Sequence, residues 1–418
     1  MSRDFYKFSM FYIRVILSLF IIFCSLTAND TRQNFKFEFS KNGQNIWWLE
    51  NNNFGVIPNN HLYSHYSLKK NNYDFFVSAY LNDQSNIFHQ SFLKYYFKNQ
   101  SFIKIGKFYR DYSLYLNDQL SSGHMIISHN ALPVPKIGFV LKKKKWSLDF
   151  TFGMNHGELD KNSFYNKKPF LHEKFFYLDT NTKSGGLLSL GLVHSAIWGG
   201  STAESGNQPS GFNNFLRVFF AEDRKIEDYA TYPDTHANAL GNHVGIWDLL
   251  YQKKMGYKNY KIYYQHFFED TSGLRFMNEI DGLWGFEISD EIKNFTLLIE
   301  YLHTTSQDID PPYVNESYYN HGTYKKGWSY KGYALGNPFI SFGYQNVIPV
   351  NVFHIGFSKK FKNDFEFSSK ISKVVNFEDQ SKYFFGIRKS FEKMTIEINY
   401  GSGINNPSAQ FKVSRLLK

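Results

Sequence analysis

A single cysteine, Cys24, stands in 418 residues, beside only 11 prolines and 29 glycines. One thiol cannot form an intramolecular disulfide, so disulfide scaffolds and cysteine-rich zinc modules are both excluded. The glycine count excludes a collagen-like repeat. Beyond Leu26 no apolar run approaches the roughly 20 residues that a helix needs to cross a bilayer, which excludes a helical membrane protein. There is no Pro/Gly/Ser linker and no repeat of fixed period, so nothing marks a domain boundary. What the chain has in quantity is aromatic residues, 19% of the total with 44 Phe and 30 Tyr. That abundance, with mean hydropathy of −0.43 and 20% charged residues, excludes a disordered polymer.

Arg3, Lys7 and Arg14 lead into an apolar stretch from Val15 to Leu26, followed by Thr27-Ala28 and the polar Asn29-Asp30. This is the pattern of a secretory signal peptide, and twelve residues reach only about 18 Å as a helix, too short for an anchor. The expected division is a signal peptide over 1–28 and one domain over 29–418. Cleavage removes Cys24 and lowers the net charge from +10 to +8. An exported, modestly basic protein suits acidic polysaccharide and lipopolysaccharide as partners, and the chain has no nucleic-acid module.

From residue 35 onward apolar and polar residues alternate with period two, as in Phe35–Phe39, Trp146–Phe152, Phe365–Ser368 and Thr395–Tyr400. Aromatic-rich segments over Tyr73–Leu81, Leu93–Phe97, Leu187–Val193, Tyr260–Phe268, Phe295–Leu302, Phe353–Phe357 and Tyr383–Ile387 also read as strands. Polar turn signals such as Lys70-Asn71-Asn72, Lys98-Asn99 and Lys362-Asn363-Asp364 separate them. A soluble β-sandwich also hides one face of each strand, but at this length it would split into several domains. The pattern therefore predicts an all-β chain closed into a large antiparallel transmembrane barrel. About eighteen strands of roughly ten residues would leave more than half the chain for turns and long external loops. Loops are expected at 154–182, 199–248, 269–285 and 303–339, with a smaller interruption at 109–136 and a short helix over Asp111–Leu120 inside or below the barrel. The Lys142–Lys145 run reads as a solvated hairpin turn on either side of the membrane.

Compact Gly/Trp/His/Asn motifs punctuate the chain: His194-Ser195-Ala196-Ile197-Trp198-Gly199-Gly200, Gly241-Asn242-His243-Val244-Gly245-Ile246-Trp247-Asp248 and Asp281-Gly282-Leu283-Trp284-Gly285. Tyr318-Tyr319-Asn320-His321, Gly327-Trp328-Ser329-Tyr330 and Gly336-Asn337-Pro338-Phe339 follow. With Tyr264–Asp270, Glu300-Tyr301 and the upstream Asn130–Pro135, this ordered set resembles the capsule assembly Wzi family of outer-membrane proteins. The resemblance implies a monomeric barrel, closed by its external loops, that binds capsular polysaccharide like a lectin, breaks no bond and needs no cofactor.

Sugars offer apolar C–H faces to flat rings and hydroxyls to Asn, Asp, His and Arg. On that chemistry the polysaccharide-binding residues are expected among Trp198, Arg217, His243, Trp247, Asp281, Trp284, Tyr319, His321 and Trp328. Closure of the lumen is expected from loops 199–248 and 303–339 folding inward. The alternatives are an open porin or sugar channel and, less favoured, an outer-membrane hydrolase built on His194-Ser195 or on Asp281 and Glu300. Neighbours on a strand face opposite sides, which argues against the His-Ser pair. Asp308-Ile309-Asp310 lacks a full calcium-ligand pattern and reads as an exposed turn.

Overall fold

Strict alternation sorts side chains onto two faces, and in this chain it sorts them inside out. In Asn351–Lys360 the outward Phe353 and Ile355 are about half exposed, whereas Val352 and His354 between them are buried. In Gly282–Asp290 Trp284 and Phe286 are exposed, and Leu283, Gly285 and Glu287 are buried. Apolar residues outside and polar ones inside describe a wall that faces lipid.

The computed structural model describes residues 31–42, 46–51, 60–81, 86–162, 164–223, 225, 239–269, 274–306, 318–344, 348–376, 381–403 and 406–417. The expected signal segment 1–28 and the Asp308–Asp310 turn lie outside them. Eighteen wall strands run β1 Thr31–Asn42, β2 Asn60–Lys70, β3 Tyr73–Leu81, β4 Asn86–Tyr96, β5 Phe102–Lys107 and β6 Pro135–Lys145. Then come β7 Leu148–Glu158, β8 Phe170–Asn181, β9 Leu187–Trp198, β10 Asn242–Met255, β11 Lys258–Phe268 and β12 Gly282–Asp290. The last six are β13 Phe295–His303, β14 Asn351–Lys360, β15 Phe365–Val374, β16 Ser381–Ser390, β17 Met394–Gly401 and β18 Ser408–Leu417. Each pairs antiparallel with its successor. Phe35 against Leu417 through Asn42 against Gln410 then pairs β1 with β18 and closes the ring.

Connections alternate between the two rims. One rim has tight turns, such as Asn71-Asn72 and Trp146-Ser147, where Asn71 and Trp146 take positive φ. The other rim carries the long segments. Short turns are periplasmic in outer-membrane barrels. Lys142–Lys145 ends β6 at the short-turn rim, so this run does not face an external polymer.

Several expected boundaries shift. The loop expected at 154–182 shrinks, because β7 runs to Glu158 and β8 begins at Phe170; likewise β10 begins at Asn242 and β12 at Gly282. No helix forms over Asp111–Leu120, where the chain makes turns, with Leu116 N–H donating to Ser113 and Ser121 N–H to Asn117. Two helices lie wholly among the described residues, α1, Trp47–Asn51, and α2, Phe212–Phe220. Neither is long and apolar enough to cross a membrane.

Candidate functional site: the plug and the long-loop face

Residues 108–134, between β5 and β6, fold into the lumen and are mostly buried, Leu114 and Gln119 being the exposed exceptions. The segment 318–341 of the β13–β14 connection packs against them in one hydrophobic core with the inner wall. Such a segment must satisfy its own backbone polar groups without a regular ladder, and side chains do so. The Trp328 indole N–H donates to the Ile126 carbonyl at 2.8 Å, Asn130 Nδ2 to Ala334 at 2.9 Å and Asn337 Nδ2 to Gly123 at 2.9 Å. The Tyr319 hydroxyl donates to the Met125 carbonyl and accepts from Asn337 N–H at 2.9 Å. Gly327, at φ 62°, touches the Tyr319 backbone so closely that any Cβ would collide with its carbonyl.

Buried carboxylates fasten the plug to the wall. Asp248 on β10 accepts from Ser113 and from the Tyr177 hydroxyl, each at 2.5 Å, and from the Tyr115 hydroxyl. Glu300 on β13 accepts from Ser121 Oγ and the Ser122 backbone N–H, both at 2.7 Å, and from Tyr263 at 2.5 Å. Glu173 on β8 accepts from Lys136 at 2.5 Å and Asn155 at 3.2 Å, with the plug residue Tyr112 at 3.4 Å. Gly356 lets Leu120 approach β14, where the Leu120 carbonyl lies 2.6 Å from His354 Nε2.

Ser113, His124 and Asp248 form a chain that superficially suggests a nucleophilic triad. His124 Nδ1 accepts from the Ile126 and Ile127 N–H groups at 2.9 and 3.2 Å, so the neutral ring carries its proton on Nε2 and donates to Ser113 Oγ at 2.8 Å. Burial, reinforced by Arg110, holds His124 well below the usual histidine range and keeps it neutral. Here serine lies between histidine and carboxylate, the histidine is a donor with no lone pair facing the hydroxyl, and all three are buried. The arrangement is a brace without the geometry of acyl transfer. His194 and Ser195 face opposite sides of the wall: Val193 and Ile197, in step with Ser195, join the inner core, while Ala196 and Trp198, in step with His194, pack outside it. Asp281 accepts from His303 Nδ1 and the Tyr318 hydroxyl, both at 2.7 Å, and from Ser306 N–H at 3.0 Å, so it and Glu300 are each occupied in holding loops. No group of three His, Asp or Glu side chains among the described residues is placed to hold a metal ion.

The nine residues singled out from sequence do not converge. Trp328, Tyr319 and Asp281 are plug braces with no exposed surface. Trp198 and His243 are also buried, on the outer side of the wall. There His156, His172, Ala196 and His243 stand in one row across β7–β10, and α2 covers it. Phe215 and Phe219 of α2 pack on His172 at 5.1 and 5.6 Å, and Phe215 lies 5.9 Å from Trp198. Trp247 and Trp284 are strand residues on the outer face at the long-loop ends of β10 and β12, with Trp284 stacked on Tyr264 at 3.7 Å. They have the position of interfacial belt residues. Arg217 on α2 is half-buried and donates to Asn214 and to the Asp223 carbonyl. His321 is half-buried, with Nδ1 accepting from Thr323 and Tyr324 N–H.

Around His321 the plug presents residues that sequence reasoning passed over. Lys325 pairs with Glu204 and lies 4.7 Å over the exposed Tyr344 ring, Lys326 is exposed, and Lys331 pairs with Asp160 at 3.0 Å beside the half-buried Tyr333. The signal was the Tyr-Lys-Lys-Gly and Tyr-Lys-Gly-Tyr spacing over 324–333, basic residues interleaved with aromatic ones.

The sequence profile of the family described as Capsule assembly protein Wzi matches residues 58–404. Among solved structures, the chain resembles Wzi of Escherichia coli, described as an outer-membrane, carbohydrate-binding β-barrel involved in group 1 capsule assembly. The TM-score is 0.59 at 13% identity, over 92% of this chain and 84% of that one, a likeness of fold. OccK3 of Pseudomonas aeruginosa aligns with TM-score 0.48 at 10% identity over 93% of this chain and 96% of that one. A porin of Rh. blastica aligns with TM-score 0.39 at 8% identity over 93% and 100%. No curated protein matches the sequence.

Proposed function

The chain belongs to the Wzi family of capsule assembly proteins, and on that premise we propose that it holds a surface polysaccharide, without cleaving it, on the face its long loops turn outward. The observation that carries this reading is the occupied lumen. A channel for sugars needs a continuous water path, and the inward-folded segments 108–134 and 318–341 fill the bore with side chains that hydrogen-bond to one another and to the wall. A plugged barrel leaves its outer loop surface as the part that can meet a polymer.

Within that surface the candidate contact region is His321 with Lys325, Lys326, Lys331, Tyr333 and Tyr344. Cations interleaved with half-exposed rings suit a polymer that carries both carboxylates and sugar C–H faces. Each contact is weak, so retention depends on many repeats engaging at once. The proposed partner is a capsular or other surface polysaccharide, met by a monomer seated among outer-membrane lipids and lipopolysaccharide.

The test is polymer retention on immobilised, detergent-purified protein. Reversing three charges, Lys325→Glu with Lys326→Glu and Lys331→Glu, is expected to lower retention of an acidic polymer on the order of tenfold at low salt. The loss should shrink as salt is added, since screening weakens only the charged part of the contact. Heat-modifiability on gels should not change. Unaltered retention in the triple variant would remove this surface from consideration, and shortening of the polymer by the intact protein would overturn the non-cleaving reading.

A further inference from the structure

On the other side of the plug lies a cavity of about 340 Å³ that the outer polymer surface does not use. Its roof is Trp48 and Leu49 of α1 with Asp118, Gln119, Leu120 and His129 of the plug, and its wall is the inner face of β14–β18. It reaches toward the short-turn rim, where Glu366 is the second residue of β15 and the Arg388 and Glu366 side chains are 44% and 34% exposed. Deeper in, Lys370 is buried, at 8% exposure.

The charges in this cavity are matched except for one. Arg388 pairs with Glu397 at 2.9 Å and with Glu366 at 3.4 Å. Lys412 pairs with Glu38 at 3.2 Å, and Asp118 with Arg110 at 2.7 Å. Lys370 has no carboxylate within ion-pair distance among the described residues, and Glu300, which acts on it from farther off, is bonded to Ser121, Ser122 and Tyr263. Its ammonium lies over the Trp48 ring, 4.5 Å from the centroid, and 5.7 Å from that of Phe384. Ring faces ease the burial of a cation but do not neutralise it, and a buried charge ordinarily has a partner. Ser358, Ser368 and Gln119 add hydroxyl and amide groups beside it. The volume is at the lower end of the range of small-molecule sites and exceeds what a bare inorganic anion requires.

We propose that this vestibule, open toward the short-turn side, binds a small hydroxylated carboxylate of the sugar-acid class, with Lys370 meeting the carboxylate and Ser358, Ser368 and Gln119 meeting hydroxyls. The site is independent of the polymer surface above, because the plug lies between them. An acidic saccharide unit on the inner side of the membrane is the ligand this chemistry selects.

The experiment is calorimetric titration of the detergent-purified full chain with sodium glucuronate, glucose and inorganic phosphate in parallel. Glucuronate is expected to bind, with glucose and phosphate each at least tenfold weaker. Lys370→Gln is expected to weaken glucuronate at least tenfold while polymer retention on the outer face is unchanged. Ser368→Leu, which fills the cavity and leaves Lys370 in place, should do the same, so the result does not rest on one variant. Heat-modifiability certifies that each barrel is folded. Absence of glucuronate binding to the wild-type chain, or binding equal in both variants, overturns the site. Phosphate as tight as glucuronate overturns the sugar-acid assignment, and glucose as tight overturns the role of Lys370.

Discussion

Removing residues 112–132 and bridging Asp111 to Pro133 with a short Gly/Ser linker should turn a silent barrel into a conducting one. The wall does not depend on that segment for its backbone hydrogen bonds, which run strand to strand around the ring. Barrels of sixteen to eighteen strands are wide enough to leave an aqueous channel when nothing fills them. What fills this one is the plug, and its second half, 318–341, packs on the first through Trp328, Tyr319 and Asn337. Deleting one half therefore strips the other of its partners. In planar bilayers the intact protein should show no steady current and the deletion variant a persistent one, with heat-modifiability retained by both. Trp328→Ala is the milder version: truncating this fully buried ring costs about 3–5 kcal/mol of packing. It should give brief openings. A deletion variant that inserts normally yet stays silent would show that other loops alone can close the bore.

Glu173→Ala should be the most damaging single substitution in the wall. The Lys136 and Glu173 side chains are 2% and 0% exposed and meet at 2.5 Å, and Asn155 and Tyr112 use the same carboxylate. Losing the carboxylate leaves an ammonium buried without its partner, a loss of about 3–5 kcal/mol. The temperature at which the folded gel band converts to the unfolded one should fall sharply. Pairing Glu173→Leu with Lys136→Met should restore most of the loss, because an apolar pair of similar volume avoids the desolvation that the ions suffer. If Glu173→Ala melts like the wild type, the pair is not the wall tie inferred here.

The strand pattern was legible where one face meets lipid and the other meets water or polar groups. Tyr73–Leu81 is a strand over the bounds its aromatic richness predicts, and Phe295–Leu302 falls within β13. β2 was passed over because Asn60–Lys70 carries Ser and Tyr on both faces and reads as neither strand nor loop. The motif Gly241–Asp248 was read as loop for the opposite reason. Its polar residues are on a strand whose inner face meets the plug, and Asp248 is there to receive Ser113 and Tyr115. A polar residue beside glycine reports a demand for hydrogen bonds, and a solvent-filled loop and a buried brace make the same demand. The inward fold expected of 303–339 is seen over 318–339, whereas the one expected of 199–248 is not met by α2, which packs on the outer side of the wall, or by 242–248, which are strand. For 108–134 only a short helix over Asp111–Leu120, inside or below the barrel, was expected; the full plug was not, since its Leu, Ile, Val and Tyr residues are too irregularly spaced to announce a core. The tryptophans were the least legible part, because Gly-Trp neighbours mark close packing as readily as an open ring face.

The pairing of β1 with β18 leaves the wall without a free edge. An open sheet presents a row of unpaired N–H and C=O groups on which another strand can grow, the route by which sheets recruit peptides or aggregate. Here that row is consumed within the molecule, as hydrocarbon surroundings require. Neighbours in the membrane, whether lipids or further copies of the chain, therefore meet only side chains: the Phe, Ile and Leu residues that stud the outer face. Lateral association cannot proceed by extending the sheet, so any crowding of these barrels in the membrane plane is weak in directionality and set by how their aromatic surfaces fit.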